Sequence, residues 1–312
     1  RFVNKLWNSA RFLRRYLKDG EALSDFSLKE LDAPFTSLLV DFSKVSEDMD
    51  KHLSAYQINE MVDKIFHLSW RNFCDWSLES AKPVFEGQDQ AKKKETLSLL
   101  VYVFEGILRL LSPVMPFITE EIWQNMPAHP RWQRSTSLAT STYPKALELG
   151  SETTKKAHFW DKAKELVSLV RSLRTQAKLP QKEKLTVWLD CEKSFFTKLQ
   201  GEELYIKSLA GLSELKHKTA SDKLKACLVS TGRGMSLFLP VAEDFDLEKE
   251  RQRLQQESKR IEKIVTGLNK RLDNQAYRKN APKEVISQAE AQRENMQTQL
   301  NAVIKSLEAL RS

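Results

Sequence analysis

The sequence predicts a mainly α fold: an antiparallel helix bundle, then a small α/β junction domain, then a C-terminal antiparallel coiled-coil hairpin. Three observations carry this expectation. Apolar residues recur at helical spacing through most of the first 127 positions. Between 184 and 239 short segments alternate apolar and polar with a period of two, and from Asp244 onward leucine and isoleucine return every seven residues. The composition agrees, because 9 glycines in 312 residues with 41% hydrophobic and 29% charged side chains suit a helix-rich protein better than a β-sandwich or a disordered chain.

Taken in order, Arg1 to Lys18 reads as an amphipathic helix, with Phe2, Leu6, Leu13 and Leu17 near one side and Arg1, Lys5, Arg11, Arg14, Arg15 and Lys18 elsewhere. Asp19 is the only acid close to it. Asp32-Ala33-Pro34 reads as a cap with proline in the first turn, opening a helix to about Asp50, and Ser54 reads as the cap of the next. That next helix, Gln57 to Lys82, carries Ile58, Met61, Val62, Ile65, Phe66, Trp70, Phe73 and Trp76. Such broad apolar coverage marks it as central, and Pro83 is expected to stop it. A fourth helix runs from about Asp89 to Leu111, and beyond Ser112-Pro113-Val114-Met115-Pro116 a fifth covers Phe117 to about Asn125. Short connections make these an antiparallel bundle over residues 1–127.

Residues 128–156 form a connecting segment of weak periodicity, expected to drape over the bundle. The junction domain, 157–243, opens with a basic amphipathic helix from Ala157 to Lys178, ended by Leu179-Pro180. Strands are expected at Lys184–Leu189, Glu214–His217, Lys225–Ser230 and Met235–Leu239, with helix between Glu192 and Leu209; Thr231-Gly232-Arg233-Gly234 makes the last two strands a hairpin. In the arm, 244–312, Leu247, Leu254, Ile261 and Leu268 recur every seven residues with Val265 and Leu272 beside them. After Asn280-Ala281-Pro282 a second helix carries Val285, Ala289, Met296, Leu300, Val303, Leu307 and Leu310, so the two strands most simply fold back on each other.

Lysine and arginine exceed aspartate and glutamate by 50 to 42, a surplus of eight that implies a polyanionic partner only if it is clustered. Cys74, Cys191 and Cys227 are too far apart for a disulfide framework or a zinc knuckle to be argued, which fits a reducing compartment. The five histidines, at 52, 67, 129, 158 and 217, show no ligand spacing, so no metal is expected. Gly232-x-Gly234 is a turn rather than a phosphate loop, and Glu120-Glu121 on a helix point apart and form no acid–base dyad. No apolar run reaches the ~18–20 residues of a membrane span. The chain starts at Arg1 directly in a helical pattern, and is expected to be a fragment of a larger protein.

Three separated stretches then resemble one family. Arg1-Phe2-Val3-Asn4-Lys5-Leu6-Trp7-Asn8 resembles the helix opening the anticodon-binding domain of the valyl, isoleucyl and leucyl tRNA synthetases. Leu111 to Trp123, with Ser112-Pro113-Val114-Met115-Pro116-Phe117-Ile118-Thr119-Glu120-Glu121 inside it, is similar to a stretch shared by the same group. Leu272-Asp273-Asn274-Gln275-Ala276-Tyr277-Arg278-Lys279-Asn280-Ala281-Pro282-Lys283-Glu284-Val285 resembles the hairpin turn of valyl enzymes in particular, and the cysteine module that commonly ends isoleucyl enzymes is absent. The resemblance implies the tRNA-binding C-terminal region of a class I valyl-tRNA synthetase. It implies that ATP serves the full-length enzyme, that this fragment holds no cofactor and no catalytic residue, and that the partner is valine tRNA. Neither His-x-Gly-His nor Lys-Met-Ser-Lys-Ser occurs in the sequence.

Gripping tRNA needs cations that follow phosphates and polar or planar groups that read unstacked bases. The first helix offers both: Asn4 and Asn8 share a face, Arg1, Lys5, Arg11 and Arg15 can neutralise the backbone, and Trp7 can either stack on a base or pack within the bundle. Lys162, Lys164, Arg171, Arg174 and Lys178 form a second basic stripe, in which Arg171 and Arg174 are the candidate contacts and a solvated face is the alternative. Between Glu257 and Lys283 eight bases (Lys259, Arg260, Lys263, Lys270, Arg271, Arg278, Lys279, Lys283) face three acids (Glu257, Glu262, Asp273). A long basic hairpin buries little surface, so reach toward nucleic acid explains it better than stability does, and the resemblance implies the outer corner of the tRNA. Tyr277 either stacks on an exposed nucleotide or clasps Pro282 and Val285. The expected setting is a cytoplasmic monomer without membrane contact. The rival reading is a coiled-coil scaffold with no nucleic-acid role, which would dimerise through an exposed seam.

Overall fold

The computed structural model describes residues 1–17, 22–219, 221–222, 224, 226–241, 245–275 and 281–310. They fall into two compact units, Arg1–Lys164 with Glu202–Leu209, and Glu165–Gly201 with Ala210–Ser312.

The first unit contains α1 (Phe2–Arg14), α2 (Ala33–Ser54), α3 (Ile58–His67), a π-helical stretch (Leu68–Ser77), α4 (Leu78–Glu86), α5 (Gln90–Leu111) and α6 (Pro116–Gln124). The first half of α7 (Ser151–Gln176) and most of α9 (Glu203–Ala210) complete it. Its centre is α5, where every residue from Thr96 to Leu111 is buried. The sequence there, Leu97-Ser98-Leu99-Leu100-Val101-Tyr102-Val103-Phe104-Glu105-Gly106-Ile107-Leu108-Arg109-Leu110-Leu111, is apolar all round, which only an enclosed helix tolerates. Its two charges answer each other, since Arg109 pairs with Glu105 at 2.8 Å one turn away and Glu105 also accepts from the Trp123 indole at 3.0 Å. At Gly106 a Cβ would overlap the Phe42 ring of α2, so the two helices meet at backbone distance there.

Three local expectations are corrected. The central helix is α5, because Ile58 and Phe66 of α3 keep part of their side chains in solvent. Pro83 does not stop the helix that carries it: the chain continues to Glu86, and Gly87 closes it by donating to the carbonyls of Pro83 and Val84, both at 3.1 Å. Proline costs the helix one hydrogen bond, and the buried side chains of Leu78, Ala81, Val84 and Phe85 offset that loss. Ser54 is the last residue of α2 rather than a cap, and α3 begins after Gln57.

Residues 127–150 are irregular apart from a 3₁₀ turn at Leu138–Thr140 and are hydrogen-bonded to the bundle, and the helix expected from Ala157 begins earlier, at Ser151. Arg109 donates to the carbonyls of Thr142 (2.9 Å) and Gln133 (3.0 Å), Arg131 to that of Phe26 (2.9 Å), and Arg134 to that of Met126 (2.7 Å). His129 is wholly buried, takes the Arg131 amide on Nδ1 at 3.1 Å and so donates from Nε2 to Ser98 Oγ at 2.9 Å; burial holds its pKa down to about 4.

The second unit is built on a four-stranded sheet, β1 (Leu185–Cys191), β2 (Leu212–His217), β3 (Cys227–Gly232) and β4 (Met235–Pro240), in the order β2-β1-β4-β3. β1 and β2 are parallel, as the intervening α8 (Lys193–Gly201) and α9 require, and the other pairs are antiparallel. Arg233-Gly234 is the two-residue hairpin loop, with Gly234 at φ +67. The arm comprises α10 (Leu247–Asp273), capped by Asp246 accepting from the Lys249 amide, and the 27-residue α11 (Lys283–Ala309). Leu254, Ser258, Ile261, Val265, Leu268 and Leu272 of α10 meet Ala289, Met296, Leu300 and Val303 of α11, the expected seam with a serine in it. The far end of α11 is fastened to the sheet, where Lys305 reaches Ser236 (2.8 Å) and Asp190 (3.2 Å) and Ser306 donates to the Val229 carbonyl (3.3 Å).

Candidate nucleic-acid interface

Helix α1 is cationic along its whole length, with no acid between Phe2 and Arg14. Leu6, Ser9, Ala10 and Leu13 are buried against the bundle, which turns the opposite side to solvent. Arg1, Asn4, Asn8, Arg11 and Arg15, spaced three and four apart, are all exposed there in one stripe. Their amides and guanidinium groups are the donors and acceptors that base edges and phosphates require. Trp7 flanks the stripe with 42% of its surface exposed, so it is not consumed by the core.

Lys5 sits differently. It is half-buried, its ammonium pairs with Asp75 and lies 4.1 Å from the centre of the Trp70 ring. Both partners come from the π-helical stretch, whose wider turn places them against α1. Lys5 therefore fastens α1 to the bundle, and its charge is largely answered before any phosphate arrives.

The second basic stripe is dispersed by the fold. Arg174 is only 7% exposed, and its guanidinium donates to the carbonyls of Pro180 and Glu183 (2.7 Å each), Gly211 (3.0 Å) and Ala210 (3.4 Å). Its expected role as a tRNA contact is corrected on that ground: a guanidinium spent on four backbone carbonyls has no fork left for a phosphate. Gly211, at φ +67, lets the β2 entrance approach it. Lys164 pairs with Asp161 at 2.7 Å. Arg171 and Lys178 are exposed on the helix end, so of the two arginines Arg171 alone presents itself to solvent.

On the arm, Lys259, Arg260, Lys263, Lys270 and Arg271 of α10 and Lys283 of α11 are exposed. At 100° per residue the five on α10 span one side of that helix, roughly opposite the buried seam of Leu254, Ile261, Val265, Leu268 and Leu272. Arg260 is held by Glu257 at 2.7 Å. Tyr277, Arg278 and Lys279 lie outside the described residues. At the root, Glu250 accepts from Gln176 at 2.6 Å and from the Arg253 fork, tying the first turns of α10 to the end of α7. Cations toward one end and a fastened root at the other give the arm an exposed positive side.

Two features escaped sequence reasoning. One is the cavity of about 320 Å³ beside the last turn of α1, where Tyr16 lies flat on Phe85 with ring centres 4.0 Å apart. The charge of α1 pointed to that end, but Phe85, Lys93 and Lys94 reach it from distant parts of the chain. The other is Glu202, 8% exposed, whose Oε1 takes the Ala33 amide at the start of α2 (3.0 Å) in place of Asp32. Asp32 is engaged instead with the Tyr205 hydroxyl and with Lys92 at 2.6 Å. Among the described residues no group of side chains could hold a metal ion, and no helix is long and apolar enough to cross a membrane.

Comparison with known proteins matches two family models to parts of the chain, neither of which includes α1. Residues 36–189 match the anticodon-binding domain of tRNA ligase, and residues 246–311 match the valyl tRNA synthetase tRNA binding arm. Over 99% of its length the chain is 30% identical to a valine–tRNA ligase of Syntrophotalea carbinolica and 28% identical to one of Bacillus subtilis, and over its full length 30% identical to one of Enterococcus faecalis. It spans about a third of the length of these relatives, 34%, 35% and 35% respectively.

Proposed function

Since the chain belongs to the valyl-tRNA synthetase family, with tRNA as the partner of its two matched modules, we propose that it is the tRNA-holding part of a valine–tRNA ligase. The exposed stripe of α1 meets the anticodon loop of valine tRNA, and the cations of the arm meet the outer corner of the same molecule. The esterification of valine, driven by ATP, belongs to the two-thirds of the relatives' length that this chain does not span. The protein works as a monomer in the cytoplasm.

The observation that carries this reading is the arm. Its apolar seam is covered by its own second helix, while Lys259, Lys263 and Lys270 stand in solvent on the far side. A scaffold that pairs with other helices needs the opposite arrangement, an uncovered seam. Each phosphate neutralised contributes roughly 0.7–0.9 to the slope of log affinity against log salt. Fluorescence anisotropy with valine tRNA at several salt concentrations is the test. The triple variant Lys259→Glu, Lys263→Glu, Lys270→Glu is expected to weaken binding and lower the slope by about 2–3. An unchanged slope would remove the arm from the interface, and equal affinity for an unrelated elongator tRNA would remove valine from the description.

A further inference from the structure

The two ends of α1 are seated differently. From Leu6 onward the helix has a buried edge of Leu6, Ser9, Ala10 and Leu13, whereas none of residues 1–5 is buried. The first turn rests instead on Phe2 and Lys5. Phe2 lies 5.0 Å from the Phe66 ring and stacks on Trp70 at 6.1 Å, and the Lys5 ammonium lies 4.1 Å from the centre of the same Trp70 ring while pairing with Asp75. Trp70 and Asp75 belong to the π-helical stretch Leu68–Ser77, in which the Leu78 amide closes on the Phe73 carbonyl five residues back. Five residues make about one turn of such a helix, so Trp70 and Asp75 stand one above the other. In an α-helix the same two side chains would point roughly 140° apart, and Lys5 could not hold both. The core fixes this register from the other sides, since Phe73 stacks on Phe104 of α5 at 5.3 Å and Asn72 donates to Asp41 of α2 at 2.7 Å.

We propose that Trp70 and Asp75 are positioning residues for tRNA binding: the π-helical register presents them together to Lys5, and that grip sets the angle at which the first turn of α1 meets RNA. Arg1 and Asn4 lie within one turn of Lys5, so they move with it. Neither Trp70 nor Asp75 contacts RNA in this arrangement; each acts through α1. The charge of Asp75 makes the point. A half-exposed carboxylate beside a cationic stripe repels a polyanion at long range and lowers affinity. Its contribution is local instead, holding the Lys5 ammonium over the indole, where cation–π attraction and the ion pair act on one atom. The inference rests on the tRNA-binding reading above and adds two residues from outside α1 to it.

The test measures binding of valine tRNA to the whole chain by fluorescence anisotropy. Asp75→Asn removes an anion, so charge alone predicts tighter binding. Positioning predicts the opposite sign, a weakening of about three- to fivefold, because a half-exposed ion pair orders its partners by no more than that. Asp75→Glu keeps the carboxylate and should bind as the parent does. Lys5→Gln combined with Asp75→Asn should bind no more weakly than Lys5→Gln by itself, since Asp75 acts through Lys5. Trp70→Leu should weaken binding in the same direction and decides the matter if Asp75→Asn does not fold. Asp75→Asn binding as tightly as the parent or tighter, or a double variant weaker than Lys5→Gln by the full Asp75→Asn factor, overturns the positioning role. Arg11→Glu, on the stripe itself, should lower affinity even then, and the tRNA-holding reading stands. Arg11→Glu without effect, or a parent chain that binds no tRNA at low salt, overturns the contact of α1 with tRNA and the positioning role with it.

Discussion

Replacing Glu202 by glutamine should make this protein more stable, by an amount that grows as pH climbs from about 4.5 and is complete above about 7. The carboxyl is 8% exposed, one oxygen accepts the Ala33 amide, and Oε2 is buried with no hydrogen-bond partner. Burial, with Asp32 adding to it, pushes its pKa up to about 7 from 4.5, although the Ala33 hydrogen bond and the cations Lys156 and Lys92 oppose the shift. A carboxyl whose pKa rises on folding keeps its proton in the folded state while the unfolded chain has already released it. Stability therefore falls as pH climbs from about 4.5 to about 7, and the full cost is present above that window. The rise from 4.5 to about 7 corresponds to roughly 3 kcal/mol at most. Glutamine keeps an oxygen for Ala33 and carries no charge to desolvate. Urea unfolding followed by tryptophan fluorescence should place the midpoint of E202Q roughly 1 M or more above the parent at pH 8, with the two converging near pH 4.5. A difference of equal size at both pH values, or a less stable variant at pH 8, would refute the assignment of a buried charge penalty to this residue.

Other outcomes follow from the same packing. Arg174→Ala should cost roughly 3–5 kcal/mol of stability, because four carbonyls lose a charged donor, and Arg174→Lys should recover little since an ammonium cannot span them; urea unfolding measures both. Gly106→Ala should destabilise the bundle by roughly 1–3 kcal/mol through overlap with Phe42, read as a lowered melting temperature, and Gly106→Ala combined with Phe42→Leu should recover part of it. Acidification should unfold the bundle through His129, whose pKa is held down to about 4 by burial: the unfolded chain takes up a proton first as pH falls below about 6.5, so stability is lost between those values, and His129→Gln should flatten that part of the pH profile.

Much of the architecture was legible in the residues because it is written in periodicities. The seven-residue return of Leu254, Ile261 and Leu268 specified the arm, and alternation in β1 and the Gly234 turn specified the hairpin sheet. The cationic stripe of α1 was legible for the same reason: residues three and four apart must share a face, and the buried set Leu6, Ala10 and Leu13 left only one face open. Local chemistry was less dependable where tertiary packing could outweigh it. Pro83 ordinarily ends a helix, and the burial of Val84 and Phe85 carried the chain past it. Ser54 has the chemistry of a cap, yet α2 ran through it.

What the sequence by itself determined is the type of each element, the positive surplus and which side of α1 and α10 bears it, all properties of neighbours along the chain. What only the tertiary structure decided is which of those charges are buried. Arg171 and Arg174 lie three apart on one helix, and nothing in the order of residues separates them. The fold buries Arg174 among the carbonyls of Pro180, Glu183, Ala210 and Gly211 and leaves Arg171 in solvent. Lys5 lies on α1 and Arg15 follows its last residue, yet one meets Asp75 across the bundle and the other lines a cavity beside Tyr16 and Phe85. The physical reason is common to both cases: a side chain's charge is encoded locally, whereas its desolvation and its partners come from residues brought to it by packing.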